Sequence, residues 1–486
     1  MTLRRGGLLL HITSLPGPLP NGVLGAEAIE LLHRMRDAGC RLWQFLPLGP
    51  THGHGSPYES RSTFAGNPEL IDLRDCAACG LLDEALLAEV IAGRATMAQA
   101  RRAMVARFRE HWTEQEEWRR FLADNRAWLE DYALFSTIRR LHNEAPWWRW
   151  PQPLRDHDPA ALAEIAHRHE EALLQVQMEQ FLFDRQWRAL KEEAAACGVA
   201  LLGDLPIYVA HDSADVWGRR QLFTVNDEGL CDEVAGVPPD YFSENGQRWG
   251  NPLYRWERMA EEGFDWWVAR VRHQLARVDL LRIDHFRGLE AYWAIPGDRR
   301  DGRVGAWRKA PGAQLLQTLD EKLGSLPLIA EDLGLITEEV HALRRRFGLP
   351  GMKILQFAFG GGADNPYLPH HHSRDMAVYT GTHDNDTTVG WWQSAPPEVR
   401  AHVRDYLGLP DACDAAAINH ALMRQALASV ADLAILPMQD LLGLDGTARL
   451  NTPGTVEGNW RWRLRRAQME QAPWEELAAW NRLYDR

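Results

Sequence analysis

The chain of 486 residues is 45% hydrophobic and 25% charged, which excludes a disordered chain and allows one large globular core. Its 67 acidic residues against 54 basic ones give a formal net charge of −13, so the mean field opposes nucleic acid and anionic membrane surfaces and favours a neutral or cationic ligand. No run approaches the ~18 apolar residues of a membrane span, and six widely scattered cysteines suit free thiols in a reducing compartment, so the expected location is cytoplasmic.

Arg4-Arg5 before Leu8-Leu9-Leu10 has the outline of a leader peptide. His11 and the Pro16-Gly17-Pro18 turn cut the apolar stretch short, and no small-residue cleavage pattern follows. The run Leu8 to Ile12 therefore reads as a first core strand, with no domain expected before it. A second run, Leu42 to Leu48, is followed by a long stretch in which Leu81 to Leu141 and Pro159 to Ala196 have helical spacing. A helical insertion subdomain is predicted there, at about residues 69–197. Within it Cys76-Ala-Ala-Cys79 is the one close cysteine pair, and without a second such pair no structural zinc site is expected.

Val199 to Ile207 is the third run. The connection after it, at about residues 208–277, is rich in Gly, Pro, Asn and aromatic residues and reads as a loop built for substrate contact. Val278 to Ile283 and Pro327 to Ala330 supply runs four and five, the latter between helical stretches Gln314 to Leu323 and Thr337 to Phe347. Met352 to Phe357, Met376 to Tyr379 and Leu433 to Leu436 complete eight. His370-His371-His372 reads as a solvated turn, not a metal site. Eight buried-type strands alternating with helices predict an α/β fold, a (β/α)8 TIM barrel with helical and loop insertions after its strands, spanning residues 1–486 as one catalytic unit.

In such barrels catalytic groups gather at the carboxyl ends of strands. Asp204, Asp284, Glu331, Asp384 and Asp440 fall at or just beyond runs three, four, five, seven and eight. Any one of these could simply cap the next helix, but several around one rim favour a shared site. Retaining glycoside chemistry needs such a set: one ionised carboxylate as nucleophile and one protonated carboxyl as acid, roughly 5–5.5 Å apart. Arg282, two residues before Asp284 on an extended strand, points to the same side and would hold the nucleophile ionised at neutral pH. Glu331 follows Leu328-Ile329-Ala330, and apolar surroundings with nearby carboxylates would keep it protonated.

Together the segments Asp204-Leu205-Pro206-Ile207-Tyr208, Arg282-Ile283-Asp284-His285-Phe286-Arg287-Gly288, Ile329-Ala330-Glu331-Asp332-Leu333-Gly334 and Tyr379-Thr380-Gly381-Thr382-His383-Asp384-Asn385-Asp386 resemble the 4-α-glucanotransferases, or amylomaltases, of glycoside hydrolase family 77. Ser56-Pro57-Tyr58, the segment from Gly236 to Pro252, and Arg449-Leu450-Asn451-Thr452-Pro453-Gly454 extend the likeness over Gly6 to Arg463. The resemblance implies Asp284 as nucleophile, Glu331 as general acid/base and Asp384 as a third carboxylate gripping sugar hydroxyls. It further implies substrate contacts at Tyr58, Asp204, Arg282, His383, Trp249, Gln247, Tyr241, Asn451 and Pro453, with Trp249, Tyr241 and Phe242 toward the acceptor side. Most of the 21 tryptophans read as packing, whereas Trp249 sits among polar neighbours suited to a sugar ring.

The resemblance implies α-1,4-glucans and maltooligosaccharides as partners and a monomer or homodimer as the assembly. No cofactor and no catalytic metal are expected, since the chain has neither Gly-x-x-x-x-Gly-Lys nor a strand-linked Gly-x-Gly-x-x-Gly. Two rivals remain at this stage. One is an α-amylase-type hydrolase using the same carboxylates; the other is a non-catalytic glucan-binding protein, which the presence of all three carboxylates disfavours.

Overall fold

A computed structural model describes residues 4–239 and 244–486. Among the described residues the strands are, in chain order, β1 (Arg5–Leu9), β2 (Leu42–Gln44), β3 (Ala200–Pro206), β4 (Glu233–Val237), β5 (Gln247–Pro252), β6 (Leu280–Asp284), β7 (Ala291–Pro296), β8 (Ala306–Lys309), β9 (Leu328–Ala330), β10 (Gly351–Ile354), β11 (Met376–Tyr379) and β12 (Leu433–Pro437). Eight of them pair in parallel in the order β10-β11-β12-β1-β2-β3-β6-β9, and these are the eight runs read from sequence. Ala330 N–H donates to Pro350 O (2.8 Å) and Met352 N–H to the Asp332 carboxylate (2.7 Å), which ties β9 to β10 and closes the barrel. Gly351 is required at this seam, because a Cβ there would come within 2.5 Å of Asp332 Oδ2.

Side chains alternate along each strand, and the alternation separates two cores. Leu9, Leu42, Leu202, Ile329, Met352, Ile354, Ala377, Tyr379, Leu433 and Ile435 fill the barrel interior. The intervening residues, including Leu8, Trp43, Leu201, Leu281, Ile283, Leu328 and Val378, face the surrounding helices. A fully buried Leu or Ile in either layer contributes about 1.5–3 kcal/mol, so a one-residue slip of any strand would forfeit both layers together. The interior rows also end in polar groups. Two residues beyond Leu9, Leu42, Leu202, Leu280, Ile329 and Ile354 stand His11, Gln44, Asp204, Arg282, Glu331 and Gln356. The periodicity that buries the core thus delivers a polar rim at the carboxyl ends of the strands.

Between β2 and β3 the chain is helical, with helices 84–91, 97–112, 116–141, 159–168 and 170–196. Its tryptophans pack: Phe108 and Trp118 meet edge to face at 5.0 Å, and Trp147 is 0% exposed. The segment 208–277 departs from the expected loop. It contains β4, β5 and helices 214–218, 256–261 and 265–277. β4 and β5 join β7 and β8 in an antiparallel sheet of order β5-β4-β7-β8, so two connections, after β3 and after β6, build one structure beside the rim. No helix among the described residues is long and apolar enough to cross a membrane, and all six cysteines are free thiols. Of the three consecutive histidines, His370 and His371 are exposed, while His372 is buried against Ser429 and Tyr367.

Candidate active site

β3 and β6 are neighbours, and their register sets Asp204 opposite Arg282 and Pro206 opposite Asp284. All three charged side chains follow the interior row, so Arg282 bridges two carboxylates: Asp204 at 2.7–2.8 Å and Asp284 at 2.9 Å. The Asp204 side chain is 0% exposed and that of Arg282 4%, whereas Asp284 remains 29% exposed. Asp204 anchors the cation; Asp284 is the carboxylate that faces the opening. Tyr58 donates its hydroxyl to Asp204 Oδ2 (2.7 Å) and stacks on His383, with centroids 5.1 Å apart and planes within 15°.

Glu331 extends the interior row of β9. Its Oε2 accepts the His285 N–H (2.7 Å) and its Oε1 the Leu333 N–H (2.9 Å), so both oxygens are fixed by backbone. His285 itself is left-handed (φ 53°), which turns the chain after it so that the next N–H, that of Phe286, donates to the Glu331 carbonyl (3.1 Å). Such a conformation is uncommon for a non-glycine residue, and here it links the two carboxylate-bearing strands. Asp332, next to Glu331, is instead consumed by barrel closure at β10. Asp440 is likewise structural: it is buried and accepts from Thr380, from Thr388 Oγ1 and from Thr388 N–H near the start of helix 388–394.

Asp384 lies beyond β11, with its side chain 44% exposed. His383 Nε2 is 3.2 Å from its Oδ1, Asn451 donates to the same oxygen (2.6 Å), and Arg449 donates to its carbonyl (2.7 Å). Its burial would raise the carboxyl, but His383 and Asn451 outweigh that and hold it down at about 2. Burial pushes Asp284 up to about 6 against the pull of Arg282, with Asp204 and Asp384 adding to the rise. Burial pushes Glu331 up to about 7, again against Arg282, with Asp284 adding to the rise. The guanidinium therefore moderates the rise of Asp284 and does not hold it in the ordinary carboxylate range. Both carboxyls are raised, Glu331 the further of the two, so a proton shared by the pair favours Glu331.

Trp249 and Gln247 lie on one face of β5, and the indole N–H donates to Gln247 Oε1 (3.0 Å). The Trp249 ring meets His285 edge-on at 4.8 Å and 90°, which brings the antiparallel sheet against the link between Asp284 and Glu331. Asn451 joins the site through Asp384, while Pro453 is exposed and makes no described contact with the carboxylates. Tyr241 and Phe242 lie outside the described residues.

Two contributors escaped the reading of the sequence. His285 is visible within its motif, but the N–H that it gives to Glu331 follows from how the chain leaves β6, which composition does not reveal. Trp460, also left-handed (φ 63°), packs its ring 6.0 Å from Tyr58 and 6.1 Å from His383. It arrives from the C-terminal segment, and only its place near Asn451 in the chain hinted at it.

The profile of one protein family, described as 4-alpha-glucanotransferase (glycoside hydrolase family 77), matches residues 10–469. A 4-alpha-glucanotransferase of Thermus thermophilus is 48% identical over 95% of both chains. One from Synechocystis is 43% identical over 99% of this chain and 98% of its own. Among solved structures, the amylomaltase from Streptococcus agalactiae in complex with acarbose superposes with a TM-score of 0.94 at 34% identity, over 99% of each chain.

Proposed function

The chain belongs to the 4-alpha-glucanotransferase family, and from that premise we propose how its rim residues divide the transfer of α-1,4-glucan segments. A carboxylate oxygen of Asp284 attacks the anomeric carbon of the donor, forming a glycosyl ester as the bond to the leaving 4-oxygen breaks. Glu331 gives its proton to that oxygen, and the shortened glucan departs. Glu331, now ionised, takes the proton of an acceptor 4-hydroxyl, whose oxygen attacks the same carbon and frees Asp284. Two inversions leave the α configuration unchanged. Asp384 and His383 grip hydroxyls of the glucose being transferred. A hydrogen bond that tightens as its ring flattens lowers the barrier selectively. Tyr58 and Asp204 form the floor, and Asn451 and Arg449 aim Asp384.

The observation that carries this division is the contrast at the rim: Asp284 holds a guanidinium at 2.9 Å and is raised to about 6, whereas desolvation and the neighbouring Asp284 charge raise Glu331 to about 7 against two backbone N–H groups that favour its ionised form. Maltotriose supplies the direct test. Transfer yields a ladder of longer oligomers plus glucose, whereas maltose and glucose alone would signal hydrolysis. We further place the chain in the cytoplasm as a monomer or homodimer. Its barrel is taken as one catalytic unit, with a helical insertion at about 69–197 and a substrate-contact insertion at about 208–277; the free cysteines support the reducing compartment.

The proton order predicts a bell-shaped rate profile. Activity should fall below about 6 as Asp284 gains a proton and above about 7 as Glu331 loses one, leaving an optimum between the two. A kcat/KM profile flat from pH 4 to pH 9 would be incompatible with this assignment.

Trp249→Ala should move the reaction from transfer toward hydrolysis. The indole beside His285 would cover an acceptor sugar and keep water from the glycosyl ester. Losing about 1.4 kcal/mol of acceptor binding changes the ratio of hydrolysis to transfer about tenfold, with donor cleavage little reduced. An unchanged ratio at both low and saturating acceptor would relegate Trp249 to packing.

A further inference from the structure

On the outer face of the barrel, helix 26–37 packs beside helix 170–196. His33 projects from the first, Glu193 from the second, and Cys197 caps the second. His33 Nε2 lies 2.8 Å from Glu193 Oε1, and Cys197 Sγ lies 3.6 Å from the same oxygen. The three donor atoms are all within 4.8 Å of one another, the one such group of His, Cys, Asp and Glu side chains among the described residues. None of the three belongs to the site described above.

The spacing has a geometric basis. Glu193 and Cys197 are four residues apart, so the pair presents two donors on one helical face, toward His33 of the neighbouring helix. Donors bound to zinc at 2.0–2.3 Å sit roughly 3.3–3.8 Å from one another in a tetrahedron, a range that the present spacings bracket. The His33 and Glu193 side chains are 43% and 36% exposed, which leaves a hydrated ion a path in, while Cys197, 8% exposed, supplies a wall on the protein side. An imidazole, a thiolate and a carboxylate suit zinc-class cations; magnesium and calcium prefer sets of oxygen ligands. Arg36, bound to Asp37 at 2.9 Å, opposes a cation and limits the affinity.

We infer that His33, Glu193 and Cys197, with water completing the coordination, form a binding site for a borderline-soft divalent cation of the zinc class that clips helix 26–37 to helix 170–196. Ligation displaces the thiol proton and replaces the His33–Glu193 hydrogen bond with bonds to the ion. The site lies outside the barrel rim, so it acts on stability and not on turnover.

The test uses the full chain, stripped of metal, titrated with zinc by calorimetry and with cobalt(II) by absorption. One equivalent should bind, and cobalt should develop a thiolate charge-transfer band. Cys197→Ser and His33→Gln should each weaken zinc at least tenfold, whereas joint replacement of Cys76 and Cys79 by serine should not. Zinc should raise the melting temperature of the parent but not of Cys197→Ser, and removing zinc with a chelator should leave maltotriose disproportionation unchanged. Both variants are expected to melt near the parent when no metal is present, so lost binding is not lost folding. Zinc affinity that survives both substitutions, affinity that follows Cys76 and Cys79, or no binding up to about 1 mM zinc would overturn the assignment.

Discussion

Asp284→Asn should reduce disproportionation by roughly 10⁴-fold or more, because it removes the carboxylate oxygen that forms the glycosyl ester. The substitution is nearly isosteric, and an amide can still accept from Arg282, so folding and glucan binding should persist. Arg282 keeps Asp204 as its buried counter-ion at 2.7 Å and is not left unpaired. Calorimetry with a maltooligosaccharide should therefore give a dissociation constant close to that of the parent while turnover collapses. The nucleophile assignment fails if a preparation free of contaminating enzyme retains activity within tenfold of the parent.

The parts of this molecule that could be read from its sequence are those in which one local pattern is enough. Eight barrel strands were legible because each is a short apolar run that buries residues on both faces, as Leu8 with Leu9 and Leu201 with Leu202 illustrate. The carboxylate rim was legible because it continues the interior row: Ile329 to Glu331 and Leu202 to Asp204 are single steps of a two-residue period. The antiparallel sheet was not legible. Its strand Gln247-Arg248-Trp249-Gly250-Asn251-Pro252 has no apolar alternation, and its β4 pairs with β7, from the far side of β6. Its edge strand Ala306-Trp307-Arg308-Lys309 is exposed throughout and lacks any hydrophobic signature. The division of labour between Glu331 and Asp332 was also invisible, since adjacent acids differ only in what the fold brings to them: two N–H groups at the rim for one, the β10 seam for the other. The pull of Arg282 on Asp284 was legible in sign, whereas the opposing desolvation was not, because it depends on depth at the barrel mouth, which a sequence does not carry.

Glu331→Gln should separate the two halves of the reaction according to the leaving group. A glucan 4-oxygen is a poor leaving group and needs the proton, so turnover of maltotriose should fall by roughly 10²–10⁴-fold, the usual worth of general acid catalysis. Fluoride departs with little acid assistance, so α-glucosyl fluoride should still glycosylate Asp284 at a rate much nearer that of the parent. Deglycosylation then stalls, because the amide cannot take the proton from an incoming 4-hydroxyl, and the ester should accumulate. The amide oxygen of glutamine can still accept one of the N–H groups of His285 and Leu333, so the β6–β9 link is retained in part. Removing the titrating carboxyl should also abolish the alkaline limb of the rate profile, because the group that loses its proton at about 7 is gone, while the acid limb set by Asp284 remains. Mass spectrometry of the quenched variant should find the sugar on the peptide carrying Asp284. Sugar attached elsewhere, equal losses for the two donors, or an alkaline limb that persists would each remove Glu331 from the proton-transfer role.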